Sequence, residues 1–123
     1  MQNKKKYKLL IVDDEVDLCK FVQLCLDEDL FQVEYTHSGQ DAFKILSHQN
    51  YDLVLSDIKM KRGDGIELLT NIRTLPSPPC VVIMTAYSEV SKEEILKTGA
   101  KAILVKPFDL DELEEALEKC FTN

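Results

Sequence analysis

The sequence predicts an α/β domain in which five parallel strands, each followed by a helix, form a doubly wound sheet, and two observations carry that expectation. Short continuous apolar runs alternate with stretches of helical spacing along the whole of the 123 residues. The runs at residues 9–12, 53–55, 81–84 and 103–105 are apolar at every position, as strands must be when helices cover both faces of a sheet. A weaker run at residues 31–35 alternates apolar with polar. We place it at a sheet edge.

Taken in order, the first helix carries Leu18, Val22, Cys25 and Leu26 on one face, at the spacing that packs a helix onto a sheet. Pro76, Pro78 and Pro79 form a stiff connection between the third helix and the fourth strand. Ser91 with Glu94 suits the start of a fourth helix, and Gly99 its end. That helix offers only Val90, Ile95 and Leu96 as core anchors, so its packing is expected to be the least secure. Asp109 with Glu112 is an acidic variant of the capping box, and it opens a last helix whose core face is Leu110, Leu113, Leu117 and Cys120.

The chain length suits one domain over residues 1–123, with residues 1–7 as a basic leader. Hydrophobic residues make up 45% and charged residues 30%, and no apolar run reaches the roughly 18 residues of a membrane span. The first apolar run stops at Asp13 and Asp14, so a secretory signal is not expected and the cytoplasm is the expected compartment. A formal net charge of -7 argues against direct nucleic-acid binding, which rewards clustered Lys and Arg. Cys19, Cys25, Cys80 and Cys120 contain no C-x-x-C spacing and sit in apolar patterns. They read as buried reduced thiols. His37 and His48 lack metal-ligand spacing and receive no role.

Chemistry is concentrated where the strands end. Asp13 and Asp14 follow the first strand, Asp57 the third, Thr85 the fourth and Lys106 the fifth. In a flavodoxin-like sheet of strand order 2-1-3-4-5, strands one and three lie side by side, and ligands bind outside their C-terminal ends. Three carboxylates would then converge, and like charges at that range resist joint ionisation. A hard cation resolves this, and Mg²⁺ suits one or two carboxylates with room left for a phosphate oxygen. A hydroxyl from Thr85 and an ammonium from Lys106 are the groups that stabilise a phosphoryl group in transfer. Pro107 disfavours a helical conformation at Lys106. Singly, each residue has a plain structural reading: Asp13 caps a helix, Thr85 closes a turn, Lys106 is a surface charge. Their coincidence at four strand ends points to function.

These residues resemble the receiver domain of bacterial two-component response regulators over nearly the whole chain. The resemblance rests on Ile11-Val12-Asp13-Asp14-Glu15, on Asp57-Ile58-Lys59-Met60 followed by Asp64-Gly65, on Thr85-Ala86 and on Lys106-Pro107-Phe108, while Gly39 and Ala42 fit the second helix start. It implies that Asp57 accepts a phosphoryl group from a sensor histidine kinase or a histidine phosphotransfer protein. It implies Mg²⁺ (or Mn²⁺) held by Asp14, Asp57 and the Lys59 backbone carbonyl, with Asp13 acting mainly through water, and Lys106 and Thr85 on the phosphoryl group. It also implies a cis Lys106–Pro107 peptide and a monomer or a phosphorylation-promoted dimer.

The chain departs from the family at the switch. Receivers carry the signal through Thr85 and an aromatic residue on the fifth strand, and here that position is Ile103. Tyr87 either substitutes as a gate or packs over the loop. Lys61 stands where proline is common, and Lys59, Lys61 and Arg62 read as a solvated basic loop. Lys59 and Tyr87 are large enough to slow hydrolysis of a phosphorylated Asp57. Two rival functions are a receiver-like interaction module that is not phosphorylated and an aspartyl-nucleophile phosphatase. Against the first, this chain has lost nothing of the acidic cluster, Thr85 or Lys106, and the second needs a D-x-D motif where this chain has Asp13-Asp14.

Overall fold

A computed structural model describes residues 6–59, 65–86 and 92–121 of the chain. Five strands, β1 (Tyr7–Val12), β2 (Phe31–Thr36), β3 (Leu53–Asp57), β4 (Cys80–Thr85) and β5 (Ala102–Val105), alternate with five helices. These are α1 (Val16–Cys25), α2 (Gly39–His48), α3 (Gly65–Ile72), α4 (Lys92–Lys97) and α5 (Leu110–Glu118), and a short 3-10 turn spans Lys119–Phe121. All strand pairs are parallel and the order is β2-β1-β3-β4-β5. The fold is therefore the doubly wound, flavodoxin-like sheet expected from the sequence.

Alternate side chains of each inner strand enter opposite cores, which explains why the runs are apolar at every position. Leu9, Ile11, Leu53, Leu55, Val82 and Met84 pack with Cys19 and Val22 of α1 and with Leu113 and Leu117 of α5. Leu10, Val12, Val54, Val81 and Ile83 pack on the other face with residues of α2, α3 and α4. β2 lies at the edge, where Phe31, Val33 and Tyr35 lean on the first core while Gln32 and Glu34 point to solvent. That accounts for its alternation.

The capping box forms as expected, with Asp109 accepting from the Glu112 N–H and Glu112 accepting from the Asp109 N–H. Gly99 follows α4 with φ +117°, and its N–H donates to the Leu96 carbonyl at 3.0 Å. α4 has six residues, with Ile95 fully buried and Leu96 exposed. Its other anticipated anchor, Val90, and its anticipated cap, Ser91, lie outside the described residues. No helix among the described residues is long and apolar enough to cross a membrane.

Three expectations need correction. The buried stripe of α1 is Cys19 and Val22, continued by Leu26 at its C-terminal cap, with Leu18 and Cys25 only half-buried at its margins. A helix with several neighbouring apolar rows does not announce which row faces the sheet. At α5 the buried face is Leu113, Ala116 and Leu117, while Leu110 is exposed. The larger correction concerns cysteine: Cys80 and Cys120, expected as reduced thiols, are joined by a disulfide with a Cα–Cα distance of 5.9 Å. They lie 40 residues apart, and α5 brings its end back to the start of β4, so a search for close sequence spacing could not detect the pair. Cys19 and Cys25 are free. The Cys19 thiol is pushed up to about 11, chiefly by burial.

Candidate functional site

Strand register assembles the acidic cluster. Val12 of β1 lies opposite Ser56 of β3, so the next residues, Asp13 and Asp57, leave neighbouring strands side by side. One carboxylate oxygen from each of Asp13, Asp14 and Asp57 lies within 4.8 Å of the other two. Thr85 pairs with Val105, which puts Lys106 immediately beyond Thr85, and the Lys106 N–H donates to the Thr85 carbonyl at 2.8 Å. Asp14, Asp57, Lys59, Thr85 and Lys106 line one cleft of about 260 Å³. The Lys106–Pro107 peptide is cis, as the resemblance implies.

Lys106 bridges the acids. Its Nζ is 2.7 Å from Asp13 Oδ2 and 3.5 Å from Asp57 Oδ2, and a third contact at 3.2 Å reaches Glu15 Oε1. Asp13 is fully buried and its second oxygen accepts from the Glu15 N–H at 2.8 Å. Burial alone disfavours the Lys106 ammonium, but its hydrogen bond to Asp13 and the charges of Asp13 and Asp57 outweigh this, and its pKa stands above the ordinary lysine value.

The Asp57 carboxyl is shifted upward from its ordinary range. Burial raises its pKa above the ordinary carboxylate value, with Asp13 adding to the rise. The Lys106 charge and backbone N–H bonds from Lys59 and Ile58 oppose it without cancelling it.

A carboxyl whose folded pKa exceeds its unfolded value binds more protons when folded, so ionisation costs stability as pH rises from about 3.9 through the raised folded value. Between pH 4 and 7 the unfolding free energy of the metal-free protein should therefore fall relative to that of Asp57→Asn. Urea unfolding of the two proteins across that range checks this, and parallel pH curves would refute it. Lys106 acts at the other extreme, its stabilisation being lost only as alkaline pH passes its raised folded pKa.

The residues anticipated as a site thus meet, with qualifications. Thr85 is buried at the end of β4 and lines the cleft. Ile103 is half-buried on β5 beside Ile83 and packs on the core shared with α3 and α4. Tyr87, Lys61 and Arg62 lie outside the described residues. His37 turns its Nδ1 to the Asp13 backbone carbonyl at 3.0 Å, a bond of the loop backbone.

Two residues were not singled out for a role in advance. Glu15 reaches Lys106, and its only sequence signal is adjacency to the acidic pair. At Gly65 a Cβ would lie 2.2 Å from the Asp57 carbonyl oxygen and 2.8 Å from Ile58 Cα. The first turn of α3 therefore presses directly on the end of β3 at Asp57.

A family described as the response regulator receiver domain matches residues 9–118. The chain is 40% identical over 116 residues to transcriptional regulatory protein ZraR of Escherichia coli (strain K12), covering 94% of this chain and 26% of that protein. It thus spans about a quarter of that relative's length. It is 34% identical over 113 residues to sporulation initiation phosphotransferase F of Bacillus subtilis (strain 168), covering 91% of each. Among solved structures it is similar to chemotaxis response regulator CheY4 of Vibrio cholerae, with TM-score 0.84, 25% identity and coverage of 94% and 99%. The Francisella response regulator 1452 receiver domain gives TM-score 0.83, 28% identity and coverage of 94% and 98%.

Proposed function

The chain belongs to the response regulator receiver domains, and from that premise we propose that Asp57 accepts a phosphoryl group from a phosphohistidine on a sensor kinase or phosphotransfer protein. An Asp57 carboxylate oxygen forms the new bond to phosphorus, the phosphorus–nitrogen bond breaks, and the neutralised imidazole of the donor leaves. The chain is a signalling domain rather than a conventional enzyme. The chemistry it catalyses is its own phosphorylation and dephosphorylation.

The observation that supports this reading is the register that sets Asp57 beside Asp13 and Asp14 with Lys106 across them. Lys106 holds a positive charge 3.5 Å from the acceptor oxygen, where it can neutralise an incoming phosphoryl oxygen. Thr85 supplies a hydroxyl from the same cleft. Three hard oxygen donors within 4.8 Å of one another fit Mg²⁺, or Mn²⁺. Asp13, Asp14, Asp57 and the Lys59 carbonyl would hold it. When bound, the ion supplies positive charge that offsets both the clustered carboxylates and the phosphoryl oxygens.

We further assign residues 1–123 to one receiver domain working in the cytoplasm, as a monomer or a phosphorylation-promoted dimer. Thr85 carries the switch with Tyr87, and the signal passes without an aromatic at Ile103. Incubation with Mg²⁺ and acetyl phosphate should add one phosphoryl group to the intact mass, and Asp57→Asn should abolish it. An adduct that survives Asp57→Asn would move the acceptor elsewhere.

A further inference from the structure

The phosphoryl-acceptor cleft occupies the C-terminal edge of the sheet, and the disulfide lies at the other end. Cys80 is the first residue of β4 and Thr85 the last, so about 16 Å of strand separates the two regions at about 3.3 Å per residue. Cys120 sits in the turn Lys119–Phe121 that follows α5. Both cysteines are half-buried, on the margin of the core shared with α1 and α5. A small reagent can reach them there, unlike the fully buried Cys19.

The neighbouring residue gives the bond a consequence. Phe121 packs against Tyr7 with ring centroids 4.3 Å apart and planes tilted by 37°, and Tyr7 in turn meets Phe31 at 6.1 Å. Together with Leu26, Leu30 and Leu117, these rings form the apolar lining of a cavity of about 220 Å³ that Glu114 and Glu118 also border. Phe121 and Tyr7 remain partly exposed, so burial secures their contact only in part. The covalent link at Cys120 holds the turn in place.

We propose that Cys80 and Cys120 are a reversible thiol–disulfide site that exchanges with a small disulfide of the glutathione class and, when closed, clamps the end of α5 and Phe121 over the cavity. Their Cα separation of 5.9 Å falls inside the range a disulfide spans without backbone movement. Reduced glutathione opens the bond and oxidised glutathione closes it. In closure one protein thiolate attacks the glutathione disulfide and expels a glutathione thiolate. The second protein thiolate then attacks the mixed disulfide and expels the other. Two protein thiols become one disulfide, one glutathione disulfide becomes two thiols, and the protein's protons pass to the released thiolates. A cytoplasmic protein carrying such a pair would rest open and close under oxidative conditions.

The test uses the whole chain. After equilibration in glutathione buffers from reducing to oxidising, remaining thiols are blocked with N-ethylmaleimide in denaturant and the intact mass is measured. Four blocked thiols are expected at the reducing end and two at the oxidising end, with peptide mapping locating the link at Cys80–Cys120. Oxidation should raise the thermal midpoint by on the order of 10 °C and slow amide exchange over residues 119–121. Cys120→Ser should abolish both effects and Cys25→Ser neither. Four reactive thiols in oxidised glutathione, a stable glutathione adduct at Cys80 or Cys120, an intermolecular link through either of them, or closure without slowed exchange at 119–121 would each overturn the proposal. The wild-type measurements need no variant to fold, and they do not depend on the role of Asp57.

Discussion

Lys106→Met is expected to slow phosphoryl acceptance from acetyl phosphate by about 10²–10³-fold, the scale of removing one preorganised charge-stabilising donor. Methionine keeps most of the stem's volume and deletes the ammonium. The cost has two parts. In transfer, Asp57 loses the positive charge 3.5 Å from its oxygen. In the resting fold, the fully buried Asp13 loses its ion-pair partner at 2.7 Å. Removing one member of a buried pair strands the other, which here should lower metal-free stability by about 3 kcal/mol. Mg²⁺ should restore part of that stability, because it offsets the same carboxylates, while the rate stays low. Urea melts with and without Mg²⁺, beside the rate of adduct formation by mass, separate the two effects. A variant as fast as wild type would remove Lys106 from the transfer chemistry.

Gly65→Ala should be nearly as damaging for a steric reason. The added Cβ would lie 2.2 Å from the Asp57 carbonyl oxygen and 2.8 Å from Ile58 Cα. Both are backbone atoms and cannot swing aside as a side chain would. Either α3 backs away or the acceptor strand end shifts. We expect a stability loss of about 1–3 kcal/mol and a fall in acceptance of about 10²-fold, the scale of an ångström of misplacement.

Gly99→Ala is the control. It forces a left-handed backbone on alanine at φ +117°, but its Cβ meets only the flexible Arg73 side chain, nearest at 2.9 Å. It should destabilise without altering acceptance once the protein is folded. Thermal melts and adduct rates of the two variants decide the matter, and equal acceptance by Gly65→Ala and wild type would refute the steric account.

Much of this architecture was legible beforehand because it rests on local signals. Apolar runs at every position marked the four covered strands, and the alternation of 31–35 marked the edge. Asp109 with Glu112 announced the start of α5, and Gly99 the end of α4. The strand-end acids were equally plain, since a charged residue directly after a buried strand must emerge at the sheet's edge.

What stayed hidden depends on distance across the fold. The row of α1 that faces the sheet was misjudged because Leu18 and Cys25 are as apolar as Cys19 and Leu26. Glu15 stood only beside the acidic pair until the fold brought Lys106 to it from the end of β5, 91 residues away.

By itself, then, the sequence determined the order and type of the elements, the two-sided burial of the inner strands, and which polar and charged side chains stand at their ends. Periodicity and residue type record those properties because each depends on a residue's own burial and backbone preference. Only the tertiary structure decided that Lys106 bonds Asp13 more closely than Asp57, that Gly65 presses on the acceptor strand, and that Cys80 finds Cys120. Each of these is a distance between segments remote in the chain, set by strand order, register and the return path of a helix, and no local pattern encodes it.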